Sequence, residues 1–311
     1  MPTLSGVIAA AATPVRDDLS IDLDHLVEHC RWLLGDGGCD GINLLGTTGE
    51  ATSFSAGQRV EAMRAVAKSG LPLDRFMVGT GAAALDDSCT LTAEAKSLGF
   101  AGALLLPPFY YKGLDAEGVV AYVEALIGKV GAQGLKLYLY HFPANSAVPY
   151  TPEIVARLRN AHPDQVLGLK DSSGDLDYSA GLARDLPGFA VFPSAEASLG
   201  RAAELGFAGC ISATANVTGP YAQIAWSGSD AAAKKEALDN AVTIRAIIAS
   251  FPLVASVKSA LALLTGREDW AKVMPPLTEL SERQKAKLAD ALSTSTLGKV
   301  ADFSGKRQAV V

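Results

Sequence analysis

From residue 6 to about residue 226, short apolar runs alternate with longer stretches whose apolar residues recur at helical spacing. That alternation predicts a parallel sheet joined by crossover helices. The runs are GVIAAAATP (6 to 14), GINLLG (41 to 46), FMVGTG (76 to 81), GALLLPP (102 to 108), LKLYLYHF (135 to 142), VLGLKD (166 to 171), FAVFPS (189 to 194) and AGCISA (208 to 213). Stretches such as DLDHLVEHCRWLLGDG and SAGQRVEAMRAVAKSG separate them, each with a Gly near its end as a stop signal. Eight even units favour an α/β fold closed into a (β/α)8 TIM barrel over an open doubly wound sheet. The pattern assigns the barrel to 1–226 and a C-terminal helical appendage to 227–294, helical throughout from about 231. A polar tail is expected over 295–311.

Composition narrows the class. With 311 residues, 49% of them hydrophobic, the chain can bury a large core, and no run approaches the ~18 apolar residues of a membrane span. The balance of 27 Lys+Arg against 33 Asp+Glu, with no long basic run, argues against a nucleic-acid partner. The N-terminal apolar segment lacks a preceding cationic region and contains a Pro, so a cytoplasmic location is expected.

Cys30, Cys39, Cys89 and Cys210 show no C-x-x-C spacing and are expected to be buried small apolar residues. His25 and His29 stand four apart in HLVEH, which is not H-E-x-x-H; an exposed helix face is expected rather than a metal site. GTGAAA (79 to 84) matches G-x-G-x-x-A but lacks an acidic residue about 20 positions on, which leaves a nucleotide-binding α/β protein as a remote alternative.

The residues that carry chemistry sit at strand ends. Active sites of such barrels form at the C-terminal ends of the strands. Lys136 opens the fifth strand, at the opposite end, whereas Lys170 closes the sixth after the apolar run VLGL. Desolvation of a lysine there would favour the neutral amine that attacks a ketone; the alternative is a structural pair with Asp171 or another carboxylate. GTTGE (46 to 50) offers backbone N–H groups and the hydroxyls of Thr47 and Thr48 to a carboxylate. Tyr140, at the end of the fifth strand, could pass protons or be aromatic core.

GTTGE after the second strand, PFYY (108 to 111) after the fourth, L-Y-x-x-P on the fifth and G-x-K-D on the sixth together resemble the dihydrodipicolinate synthase and N-acetylneuraminate lyase family, over about residues 4 to 295. The resemblance implies a carbon–carbon lyase of class I aldolase type in which Lys170 forms an imine with pyruvate or another 2-oxo acid, with no metal or other cofactor. It implies that Tyr140 shuttles protons and that Thr47 links it to Tyr110, which reaches a neighbouring subunit's site in a homotetramer. Gly46, Thr48 and Ile211 would border the pyruvoyl group. Family members that make dihydrodipicolinate carry an Arg where this chain has Asn145, and sialic acid lyases carry a carboxylate where it has Glu196. A neutral amide cannot grip a carboxylate bidentately. Cleavage of a hydroxylated, sugar-derived 2-oxo acid to pyruvate and an aldehyde is therefore expected, with Asn145, Ser194 and Glu196 on its distal part. The alternative is condensation of pyruvate with aspartate semialdehyde.

Overall fold

In a computed structural model, which describes residues 4–297, all eight strands form where the alternation places them. They are β1 (Gly6–Ala10), β2 (Gly41–Leu44), β3 (Phe76–Gly79), β4 (Gly102–Leu105), β5 (Leu137–His141), β6 (Val166–Asp171), β7 (Ala190–Pro193) and β8 (Gly209–Ser212). The crossover helices are α1 (Leu23–Leu34), α2 (Ala56–Lys68), α3 (Leu85–Leu98), α4 (Ala116–Val130), α5 (Pro143–Ser146), α6 (Pro152–Ala161), α7 (Leu176–Asp185), α8 (Ala202–Leu205) and α9 (Ala215–Ser227). Their starts are set by side chains that accept the free N–H groups of the first turn: Asp22 for α1, Asp115 for α4, Thr151 for α6 and Asp175 for α7, with a reciprocal Ser55–Gln58 capping box on α2. The seventh crossover departs from a plain α-helix, opening as a 3-10 turn (Glu196–Arg201) before the single turn of α8.

The strands pair in parallel in the order β7-β6-β5-β4-β3-β2-β1-β8. Between β7 and β8 the described residues form no ladder; a single bond from Ala208 N–H to the Val191 carbonyl, 2.9 Å, joins them. Outward-facing residues such as Ile42, Leu44, Leu139 and Leu169 pack under the helices. Inward-facing residues, Ile8, Ala10, Met77, Leu104, Tyr138, Tyr140, Phe192 and Ile211, fill the interior, so the barrel is a packed core and not a pore.

Beyond the barrel lie α10 (Ala231–Ala249), α11 (Leu253–Thr265) and α12 (Glu282–Ser293). The expectation of continuous helix is corrected over 272–281, where two adjacent prolines, Pro275 and Pro276, stand in an irregular segment. Ile244, Ile248, Val257 and Leu261 pack with Ala12, Ala213 and Val217, which ties these helices to the rim of the barrel. Ser295 and Leu297, at the start of the expected tail, are buried; the rest of that tail, 298–311, lies outside the described residues. Among the described residues no single helix is long and apolar enough to cross a membrane.

All four cysteines are buried. The expectation of an exposed histidine pair is corrected: His25 and His29 are both buried, edge-on to Trp270 at ring separations of 4.4 and 4.7 Å. His29 is also bound through Nε2 to Asn216 Oδ1 at 2.8 Å.

Candidate active site

Lys170 reaches the barrel interior because β6 alternates: Leu169 packs outward, and Asp171 turns outward to accept from Ser179 Oγ (2.9 Å) and Ser173 N–H (2.8 Å). Only 3% of Lys170 is exposed, and among the described residues no carboxylate lies within ion-pairing distance of it. Its Nζ sits 4.5 Å from the centre of the Tyr140 ring, the residue directly beside it on β5. Tyr138 lies one inward position below. Its ring occupies space left by Gly102 and Gly168, where an added Cβ would come within 2.7 and 2.8 Å of the ring. The glycine of G-x-K-D is thus required first by the Ala190 carbonyl of β7, 2.3 Å from an added Cβ, and then by the aromatic floor beneath the lysine. Burial pushes the Tyr138 phenol up to about 12, so it stays neutral.

Opposite the lysine, the loop after β2 carries strain. Leu45 (φ 53°) and Glu50 (φ 56°) both adopt left-handed backbone, unfavourable for side chains by about 1–2 kcal/mol each. The run between them holds Thr47, half-buried, and Thr48, buried. The Thr47 hydroxyl lies 3.2 Å from the phenol oxygen of Tyr140.

Glu50 anchors this loop from behind. One carboxylate oxygen accepts from Lys258 Nζ on α11 at 2.6 Å, the other from the Met274 N–H at 2.5 Å, and both charged side chains are fully buried. Burial pulls the Lys258 ammonium below its ordinary value, against the opposing pull of Glu50. Sequence reasoning assigned neither residue a role. A lone lysine within the apolar helix LVASVKSALALL was the available signal.

A buried arginine supports the next strand. Arg59 on α2 donates to the carbonyls of Gly81 (3.1 Å) and Gly79 (2.8 Å). The GTG run is therefore a strand end held by an arginine, and an added Cβ on Gly79 would meet the Leu45 carbonyl at 2.1 Å.

The other expected site residues divide. Gly46 begins the Thr47–Thr48 loop, and Ile211 is fully buried in the interior. Ser194 is half-buried at the end of β7, and Asn145 is exposed on α5. Tyr110 is 72% exposed on the loop after β4, its ring against Tyr111, and within one chain it does not meet Thr47.

Glu196 requires a correction. It has no exposed surface; one oxygen accepts from Thr214 Oγ1 (2.6 Å) and Thr218 Oγ1 (2.7 Å), the other from Arg245 Nη1 (3.2 Å). Arg245 also donates to Ser212 Oγ and Thr214 Oγ1, both at 3.0 Å. These partners lie on the outer side of the sheet, on α9 and α10 and at the end of β8. Glu196 therefore cannot accept hydrogen bonds from a substrate in the barrel mouth.

The family model of the dihydrodipicolinate synthetase family matches residues 3–295. An uncharacterised DapA-like lyase of Chloroflexus aurantiacus is 33% identical over 92% of this chain and 95% of its own length. A 4-hydroxy-tetrahydrodipicolinate synthase of an Acidovorax species is 31% identical over 69% of this chain and 70% of its own. The crystal structure of dihydrodipicolinate synthase from Agrobacterium tumefaciens superposes with a TM-score of 0.85 at 28% identity, covering 94% of this chain and 99% of that one. With a buried lysine beside a tyrosine at the mouth of a (β/α)8 barrel and a family match over nearly its whole length, the chain belongs to the dihydrodipicolinate synthetase family.

Proposed function

We propose that this carbon–carbon lyase works through an imine between Lys170 and pyruvate, or the 2-oxo acid from which pyruvate is cleaved. The observation that carries the reading is the lysine itself: buried, unpaired with any described carboxylate and beside a phenol. Condensation of Nζ with the keto carbon expels water. The protonated imine then takes up the electron pair of the C3–C4 bond as that bond breaks, giving an enamine. Tyr140 takes the proton of the C4 hydroxyl during cleavage and returns it during synthesis, relayed through Thr47. The N–H groups and hydroxyls of the Thr47–Thr48 loop hold the pyruvoyl carboxylate. No metal or other cofactor enters the scheme, because the imine serves as the electron sink.

For the second partner we favour a hydroxylated aldehyde, with Asn145 and Ser194 toward its distal part. The buried position of Glu196 removes one support for that preference and leaves Asn145, in place of an arginine, as the feature behind it. Relatives named as 4-hydroxy-tetrahydrodipicolinate synthases, about 31% identical, support condensation with aspartate semialdehyde as the second reading. We further propose a cytoplasmic homotetramer in which the exposed Tyr110 is covered by a neighbouring subunit.

Borohydride reduction in the presence of pyruvate should attach a three-carbon adduct to Lys170, with activity retained in EDTA. An adduct on another lysine, or inactivation by the chelator, would sink the imine scheme. A panel of hydroxylated 2-oxo acids set against aspartate semialdehyde decides the partner, and a fully active monomer in sedimentation would overturn the shared-site arrangement.

A further inference from the structure

Two asparagines are completely buried, and the fold treats them oppositely. Asn216, at the start of α9, uses its whole amide: Nδ2 donates to the carbonyls of Ala10 (2.8 Å) and Ala213 (2.7 Å), and Oδ1 accepts from Ala12 N–H (3.0 Å) and meets His29 Nε2 (2.8 Å). Asn43 uses none of it. Among the described residues it is the only buried side chain with two unpartnered polar atoms, Nδ2 and Oδ1. Buried polar groups are nearly always bonded, so such a group calls for a ligand or a function.

Its position says which. Ile42 and Leu44 pack outward under the helices, so Asn43 between them points into the barrel. β2 and β6 lie four strands apart in a ring of eight and face each other across the axis. Following the strand registers from Lys170 through β5, β4 and β3 arrives beside Thr47 on β2. Going the other way, through β7, β8 and β1, arrives beside Cys39. The gap between those arrivals is the shear of about eight residues that such barrels carry, and the level of Lys170 lies midway, at Asn43. The same residue touches the carboxylate loop: an added Cβ on Gly46 would lie 2.3 Å from Asn43 Nδ2.

We propose that Asn43 is a specificity-determining residue that binds the carboxylate of the 2-oxo acid from the wall facing Lys170, Nδ2–H donating to an oxygen that the Thr47–Thr48 loop holds from above. The assignment rests on the imine reading of Lys170. A donor at this point ties recognition to the acid itself, because a neutral ketone offers no anionic oxygen there.

The test uses the full chain and borohydride labelling of Lys170 at graded concentrations of pyruvate and of methyl pyruvate, its uncharged ester. In Asn43→Leu, an apolar side chain of similar size, half-maximal labelling by pyruvate should need at least about ten-fold more ligand, while methyl pyruvate labels as in the wild type. Thermal stability should be unchanged or rise by about 2 to 4 °C, because the substitution removes an unsatisfied amide. Asn43→Val is read the same way should the leucine not fold. A pyruvate half-saturation within about two-fold of wild type, or an equal shift for acid and ester, overturns the assignment. Absence of any Lys170 adduct in the wild type instead overturns the imine reading on which it rests.

Discussion

The Tyr140 phenol and the Thr47 hydroxyl, 3.2 Å apart, form a side-chain hydrogen bond that links the strand beside the lysine to the strained loop after β2. The bond gives the phenol a partner through which a proton can leave. Tyr140→Phe should lower turnover by roughly 100- to 10,000-fold while pyruvate still labels Lys170. Thr47→Val, which spares the phenol, should cost about ten-fold or less. Normal turnover by the phenylalanine variant would remove Tyr140 from the proton path.

Glu50 and Lys258 predict a double-mutant pattern. Lys258→Met or Glu50→Gln alone leaves one group of a buried pair without its partner, and each should destabilise by about 3 to 5 kcal/mol in urea unfolding. The double variant should recover much of that loss, because no uncompensated charge remains. Additive losses in the double variant would contradict the pairing.

Glu196 separates structure from recognition. Glu196→Gln removes a charge from the Thr214–Thr218–Arg245 cluster and should lower stability by about 1 to 3 kcal/mol. KM for hydroxylated 2-oxo acids should stay within about two-fold. A large rise in KM with stability intact would restore the carboxylate to the substrate.

His29 sets an acid limit. Burial lowers its pKa to about 4, while in the unfolded chain it returns to 6.5. Between those values the unfolded state binds more protons, so stability falls as pH drops from 6.5 towards 4, by about 3 kcal/mol from this group. His29→Gln keeps an amide donor for Asn216 and does not titrate. Its urea stability should differ less between pH 7 and pH 4.5 than that of the wild type, and an equal difference in both proteins would exclude His29 as the cause.

The strands were legible because most are short runs dominated by apolar residues, a pattern that needs no knowledge of distant residues. Their ends were read too long, since Ala11, Ala12 and Pro14 keep the apolar composition past the end of β1. Lys170 and Tyr140 were legible because a charged or phenolic group closing such a strand has one place to go. Partners far off in the chain were not. Glu50 meets a lysine 208 positions away, and the burial of His25 and His29 depends on Trp270, from a turn that local periodicity does not foresee. Glu196 was placed near the rim correctly, but which side of the sheet it faces is decided by Arg245 and two threonines brought there by folding.

The join between β7 and β8 gives that last cluster a further meaning. Where neighbouring strands share no ladder, their alignment has to come from elsewhere; β8 takes its register from β1, in a ladder that sets Ile211 beside Ile8 in the interior. Glu196 is carried by the segment that follows β7 and grips hydroxyls of the segment that follows β8. It therefore ties the segments that leave the two strands, and the last junction of the ring is bridged by a carboxylate together with one peptide hydrogen bond where the other seven carry ladders.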